Sequence, residues 1–226
     1  MLKAFRDLNR FERGLWLFSI AVVAAAFLLT NSPDVLTLAA SLIGVTALVF
    51  VAKGYVLGQV LTVVFALFYG VISYFQRYYG EMITYLGMTS PIALMAALEW
   101  LRNPYAGTRE VRVRTLSLKQ AALMWGLTAV VTFVFHFILR QLGNASLFFS
   151  TVSIATSFLA SYLTLMRSPS YALAYAANDV ILIILWVVAS IDSPGCAPMI
   201  VCFVMFLIND SYGFINWRRM MKRQAQ

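Results

Sequence analysis

Two short runs gather polar side chains within an otherwise apolar chain. Tyr175, Asn178 and Asp179 fall in one hydrophobic stretch, and Asn209, Asp210 and Tyr212 fall in the next, followed by Asn216 and Trp217. Gln59 and Thr62 form a smaller group earlier on, and Trp186 follows the first run. Residues three or four apart share a helical face, which pairs Tyr175 with Asn178 and Asn209 with Tyr212. Side-chain amides read hydroxyl groups, and aromatic rings stack on flat heterocycles. A carboxylate beside such rings adds attraction for a cationic ring. If the two faces oppose each other, they enclose a cleft suited to a heteroaromatic ring joined to a sugar.

That is the chemistry of holding a molecule. The sequence shows no phosphate-cradling glycine loop, no paired-histidine metal spacing and no Ser/His/Asp set with a histidine to spare. Neither a cofactor nor a metal is expected. A membrane enzyme would have to run on Asp179, Asp210, Glu81 or Glu99, and the last two are expected at membrane interfaces. His136, the single histidine, reads as a hydrogen-bonded packing residue, and Cys196 and Cys202 lie six apart and off a common face. Plainer roles stand beside the recognition reading. Asn178, Asn209 and Ser211 could serve only to bond neighbouring helices. Trp186 could anchor an interface, and Tyr212-Gly213 could be a close-packing device. Asp179 and Asp210 could pair structurally or carry a proton, and a ligand role is expected for one of them.

The elements that must position these groups follow from hydropathy. Of 226 residues 62% are hydrophobic and only 12% are charged, far from the roughly 25% charged of soluble domains. A bilayer-crossing helix needs about 20 mostly apolar residues. Eight blocks qualify: Leu15–Thr30, Val35–Ala52, Tyr55–Phe75, Met82–Leu101, Ala121–Leu139, Leu147–Met166, Tyr171–Ile191 and Pro198–Trp217. The first two are parted only by the turn-forming Asn31-Ser32-Pro33-Asp34. No segment alternates with period two, so the expectation is an all-α membrane protein and not a β-barrel. The fourth span carries Thr84, Tyr85, Thr89 and Ser90 before Pro91, where a kink is expected.

The net charge of +8 is not a nucleic-acid footprint, because its placement is one-sided. Fifteen of the Lys and Arg residues fall in the termini and alternate loops, and only Arg77 and Arg140 fall on the opposite side. The positive-inside rule then puts both termini in the cytoplasm, with the bilayer as partner. A cleaved signal peptide competes for residues 1–30, but the long basic lead and near-spanning apolar run favour a retained extra helix.

Sliding the chain by 117 positions superposes Tyr69 on Trp186, Ser73 on Ser190, Trp100 on Trp217 and Arg102 on Arg219 without a gap. The match pairs spans 2–4 with spans 6–8. Three crossings invert a unit, and one extra crossing restores its direction, so span 5 is the linker. The plan is 1+3+1+3: an extra helix in 1–31, triple-helix repeats in 35–102 and 145–217, and a linker helix in 119–141. Parallel three-helix repeats of this kind build SWEET-type transporters.

The run Ile208-Asn209-Asp210-Ser211-Tyr212-Gly213-Phe214-Ile215-Asn216-Trp217 resembles the final-helix pattern Asn-x-x-Tyr-Gly-x-x-x-Trp of the PnuC family. Ser170 to Ser190, with Asn178 and Trp186, is similar to that family's preceding helix, and Lys53 to Trp100 to its first repeat. The resemblance implies a SWEET-like fold and facilitated transport of nicotinamide riboside, with a site at midplane between the repeats and trapping by an intracellular kinase. It implies binding roles for Asn178, Asn209 and Tyr212, with Tyr175 where many members carry Trp. The chain departs from the pattern at Leu86, Ala93 and Met95–Ala97, where amides are usual. Thiamine, riboflavin or a deoxynucleoside are therefore alternative substrates, a sugar facilitator is the rival class, and a homo-oligomer stays open.

Overall fold

A bilayer core offers no water to backbone N–H and C=O groups, so apolar blocks of this length fold as helices that satisfy those groups internally. The computed structural model describes residues 2–29, 35–144, 146–192 and 194–226. Among them, eight helices are long and apolar enough to cross: α1 (Arg10–Leu28), α2 (Val35–Ala52), α3 (Val56–Phe75), α4 (Tyr79–Arg102), α5 (Leu118–Gln141), α6 (Leu147–Leu165), α7 (Tyr171–Asp192) and α8 (Ala197–Gln224). The expected turn at Asn31-Ser32-Pro33-Asp34 lies outside the described residues.

The structure refines the hydropathy reading at two helix ends and within a third helix, each for a local reason. α1 begins at Arg10 because Asn9 and Glu12 form a reciprocal cap: the Asn9 side chain accepts from the Glu12 N–H at 2.8 Å, and Glu12 accepts from the Asn9 N–H at 2.7 Å. α8 continues past Trp217 because its polar tail finds partners, with Gln224 accepting from the Val113 N–H at 2.7 Å and donating to the Val111 carbonyl at 3.1 Å. α4 is composite, with a π-helical stretch at Thr84–Thr89 ahead of Ser90–Arg102. Pro91 lacks an N–H, and its ring excludes the carbonyl four residues back. The widened turn absorbs that conflict, which is the form the expected kink takes.

The helices pack as a ring in the order α2, α3, α4, α6, α7, α8 and back to α2. α2–α4 and α6–α8 are two three-helix units joined by α5, which lies outside the ring against α6. There His136 Nδ1 meets the Thr151 hydroxyl at 3.2 Å, a packing contact. α1 also lies outside, against α2 and α8. The first helix of each unit meets the third helix of the other. Trp100 of α4 donates to the Thr164 carbonyl of α6 at 3.1 Å, and Trp217 of α8 donates to the Val51 carbonyl of α2 at 2.9 Å.

Those two indoles are also neighbours, with ring centroids 5.4 Å apart. Trp186 donates to the Tyr69 hydroxyl at 3.0 Å across a separation of 117 residues, the same separation that relates Trp100 to Trp217. A residue can touch its own counterpart only near the axis relating the two halves. Both pairs therefore mark one axis, and the ring's interior lies between them.

Polar ties hold α1 in place. The buried Glu12 carboxylate takes Lys53 Nζ at 2.8 Å and the Tyr212 hydroxyl at 3.0 Å. Trp16 donates to Thr46 at 3.1 Å.

A central cavity as the candidate site

The α2–α3 hairpin packs closely beside the ring's interior. A Cβ at Gly58 would lie 2.4 Å from the Val51 backbone nitrogen, so only glycine permits that helix crossing. The crossing sets Gln59 and Thr62 on the inner wall of α3, opposite α7 and α8. On α2 a Cβ at Gly44 would lie 2.4 Å from the tip of Phe206, so the missing side chain admits that ring. The π-helical stretch of α4 turns Tyr85 and Thr89 inward.

These walls enclose a cavity of about 40 Å³, room for roughly one water. Its chemistry comes mainly from α7 and α8. Asn178 is buried, and its Oδ1 accepts from three hydroxyls of α6: Ser153 at 3.2 Å, Thr156 at 2.8 Å and Ser157 at 3.0 Å. That arrangement fixes the amide's orientation and leaves Nδ2 as the group with hydrogens to offer. The Tyr175 hydroxyl lies 3.4 Å from that of Ser161. Asp179 and Asp210 are each 3% exposed and lie within hydrogen-bonding reach of one another. Asp179 Oδ2 has no hydrogen-bond partner, and neither does the Thr89 hydroxyl. No Lys, Arg or His lines the cavity among the described residues. Two carboxyls, an amide, hydroxyls and the rings of Phe65, Tyr85, Tyr175 and Phe206 therefore face one enclosed space without a cation.

The on-axis aromatics close it at both ends. Toward the end bearing the termini, Trp217 packs on Trp100 and, at 4.8 Å, on Tyr171. Toward the other end, Tyr69 packs on Tyr85 at 4.4 Å and on Phe203 at 5.6 Å, and it accepts the Trp186 N–H.

Of the residues singled out from the sequence, Gln59, Thr62, Tyr175, Asn178, Asp179 and Asp210 line the cavity together, both aspartates included. Three do not. Asn209 donates to Ser19 of α1 at 3.0 Å and to the Met205 carbonyl at 2.7 Å, and Tyr212 donates to Glu12. Trp186 sits in the aromatic closure. The physical reason is helical phase: one residue turns a helix by about 100°, so the face carrying Asn209, Tyr212 and Asn216 is not the face carrying Phe206 and Asp210. The first face went to α1 and to the end of α2, where Asn216 donates to the Ala52 carbonyl at 2.9 Å.

Glu81, expected at a membrane interface, is fully buried within the protein near the start of α4, where α4 packs against α3 and α6. Phe65 and Phe206 carried no polar signal. Tyr85 and Thr89 were visible only as polar residues ahead of Pro91.

Comparison with known proteins gives a consistent result. A family model described as "Nicotinamide mononucleotide transporter" matches residues 34–219. A nicotinamide riboside transporter PnuC of Neisseria mucosa is 27% identical, over 98% of this chain and 86% of that protein. Its namesake from Haemophilus influenzae is 24% identical, over 92% of this chain and 90% of that protein. The crystal structure of a vitamin B3 transporter PnuC superposes with a TM-score of 0.85 at 27% identity, covering 96% of this chain and 94% of that one. With the ring fold shared and the family model matched over most of its length, this chain belongs to the nicotinamide mononucleotide transporter family and is a membrane transporter, not an enzyme.

Proposed function

We propose that this protein carries nicotinamide riboside, or a closely similar cationic vitamin, across the cytoplasmic membrane of a bacterium by facilitated diffusion. The reading rests on one observation above others: the cavity on the axis joins aromatic rings and an oriented amide to two carboxyls, with no basic side chain. A pyridinium ring joined to a ribose matches each part. The ring stacks and finds the carboxyls, while the hydroxyls find Asn178, Gln59 and Thr62. A mononucleotide would bring a phosphate against Asp179 and Asp210 with nothing to balance it, so the riboside fits and its phosphate ester does not. Among the alternatives, thiamine shares the positive ring, whereas riboflavin, deoxynucleosides and sugars do not.

Ligand sites for molecules of this kind usually span about 300–1,000 Å³, so a cavity of about 40 Å³ represents a closed-down ring. Entry requires one three-helix unit to rock against the other, opening one aromatic closure at a time. The one-sided basic residues support termini in the cytoplasm, where a kinase would trap the riboside by adding the phosphate the cavity rejects.

The test is uptake of labelled nicotinamide riboside into vesicles, with and without an imposed proton gradient. The expected result is saturable entry that stops at equal concentrations and is inhibited by thiamine more than by nicotinamide mononucleotide, riboflavin or glucose. Gradient-driven accumulation would reject simple facilitation, and equal inhibition by the mononucleotide would reject the charge argument.

A further inference from the structure

The end of the molecule that bears both termini holds a second cavity, of about 330 Å³, with the opposite electrostatic character. Lys53, Arg219 and Arg223 line it, together with Asn216 and the carboxylates of Glu12 and Glu110. The three cations are not equally committed. Lys53 is tied to Glu12, which is itself buried and held by Tyr212 and Asn9, so that pair belongs to the scaffold. Arg223 pairs with Glu110 across a partly exposed contact, its side chain 56% exposed; such pairs contribute little and give way to a stronger anion. Arg219 makes no ion pair among the described residues. It lies one helical turn before Arg223, so both guanidinium groups can reach one anion.

A phosphate group is the anion that suits two adjacent guanidiniums, because each planar fork can donate two parallel hydrogen bonds to its oxygens. Asn216, on the same side of α8, donates to the Ala52 carbonyl and so ties the cavity's wall to the end of α2. The walls come from α1, the α2–α3 turn, the loop carrying Glu110 and the end of α8. Two of these belong to different three-helix units, and Trp217, one helical turn inward of Met220 on the cavity's wall, forms the aromatic closure at this end.

We propose that this cavity binds a phosphate ester through Arg219 and Arg223, and that its occupation holds α8 against the α2–α3 turn and slows transport. Two sources share that chemistry. One is the phosphorylated form of the carried molecule, which would make the site a product sensor; the other is the headgroup of an anionic phospholipid. The site stands whichever molecule the central cavity carries.

Thermal unfolding of the purified full chain in detergent, titrated with inorganic phosphate against chloride at matched ionic strength, tests binding without reference to transport. A saturable rise in the unfolding temperature is expected. Arg219→Gln should weaken the half-saturating concentration by about tenfold. Glu110→Gln, which frees Arg223, should strengthen it by about threefold. Arg102→Gln, outside the cavity, should leave it unchanged. If Arg219→Gln does not fold, Arg219→Lys replaces it: the charge stays, the fork is lost, and binding should still weaken.

The source is separated by nicotinamide mononucleotide added to protein in phosphatidylcholine vesicles, compared with vesicles containing phosphatidylglycerol and no ester. A shift in either arm supports the site and names its ligand. With labelled nicotinamide riboside, the effective phosphate source should reduce uptake by wild type and spare Arg219→Gln. Absence of a saturable rise, an equal rise in Arg219→Gln, or uptake indifferent to the bound ester would overturn the proposal. Failure of riboside uptake with an intact phosphate response would count against the substrate reading alone.

Discussion

The two three-helix units put different side chains at equivalent places around one cavity. Thr62 of the first unit stands where the second has Asp179, and Thr89 stands where the second has Phe206; all four line the cavity. Leu61 and Ala93 occupy the places of Asn178 and Asp210. The first unit also contributes a smooth wall from Gly44, Ala47, Leu48 and Val51, for which α6 offers no counterpart in the lining. A symmetric scaffold thus carries a one-sided site. In the proposed cycle, symmetry serves the rocking, since both closures sit on the axis and can be exchanged. In the same proposal, asymmetry serves recognition, since a molecule with a charged ring at one end and hydroxyls at the other has no two-fold of its own.

The most forceful way to break that comparison is to take the charge out of the second unit. Asp179→Asn and Asp210→Asn keep the shape and each remove one of two carboxyls that, lying within hydrogen-bonding reach, hold at most one negative charge between them. A hydrogen bond to a charged group contributes about 1.5–3 kcal/mol, so the apparent affinity for nicotinamide riboside should fall by about 10- to 100-fold. A neutral analogue of the same outline should lose far less, measured by competition in the vesicle assay. Moving the charge to the other unit sharpens the point. Thr62→Asp placed in the Asp179→Asn background should recover part of the lost affinity, because both positions face the same space. Unchanged affinity in both single variants would remove the carboxyls from recognition.

Asn178→Ala should have the next largest effect, on folding as well as on flux. Three α6 hydroxyls lose their common acceptor. Interhelical hydrogen bonds in membranes contribute about 0.6 kcal/mol each on average. Thr156 keeps its bonds to the Val152 and Ser153 carbonyls, so the net loss should be about 1–2 kcal/mol, read from thermal unfolding. Leu61→Ala, the counterpart in the first unit, should lower stability through packing and leave riboside affinity intact.

The closure nearest the termini offers a comparison in which the two halves should behave alike. Trp217→Phe and Trp100→Phe each strip one indole N–H from a helix-end carbonyl of the opposite unit. Each should cost about 1 kcal/mol. Because the rings touch, the double variant should depart from the sum of the singles. A tenfold disparity between the single variants in unfolding equilibrium, or strict additivity, would argue against a shared on-axis contact.

How much of this the sequence disclosed depends on the kind of signal. Hydropathy located all eight crossings, because an apolar block of that length has no other solution in lipid. The gap-free register disclosed the wiring, and two of the four landmark pairs it aligned, Tyr69 with Trp186 and Trp100 with Trp217, touch each other on the axis. Facing was harder. Asn209 and Asp210 are adjacent, and choosing which of them turns inward requires knowing where α1 packs. Nothing in the repeats says so, since α1 has no counterpart in them. The spacing of Phe206, Asp210, Gly213 and Trp217, an apolar-and-small stripe around one carboxyl, is the feature that marks the inward face of α8. The burial of Glu81 was hidden for a related reason. Proximity to a helix start suggests an interface, but Gly80 lets α4 approach α6 so closely that a Cβ there would lie 2.9 Å from Ser150 Cβ.

Tyr212 separates a family motif from a cavity wall, and its removal should have the smallest effect of all. The motif makes it a binding residue, whereas its hydroxyl lies 3.0 Å from Glu12 and outside the cavity lining. In Tyr212→Phe the ring stays in contact with Phe11, whose centroid is 5.1 Å away, and Glu12 keeps Lys53. The loss is then a single interhelical hydrogen bond, about 0.6 kcal/mol and at most about 1.7 kcal/mol, read as a small drop in unfolding temperature. Affinity for the riboside should stay within about twofold of wild type, since the energy lost lies between α1 and α8 and not between protein and ligand. A tenfold loss of affinity with stability unchanged would mean that α8 rotates when the ring opens, carrying Tyr212 from α1 into the site. The one-sidedness of the closed cavity would then belong to one state of the cycle only.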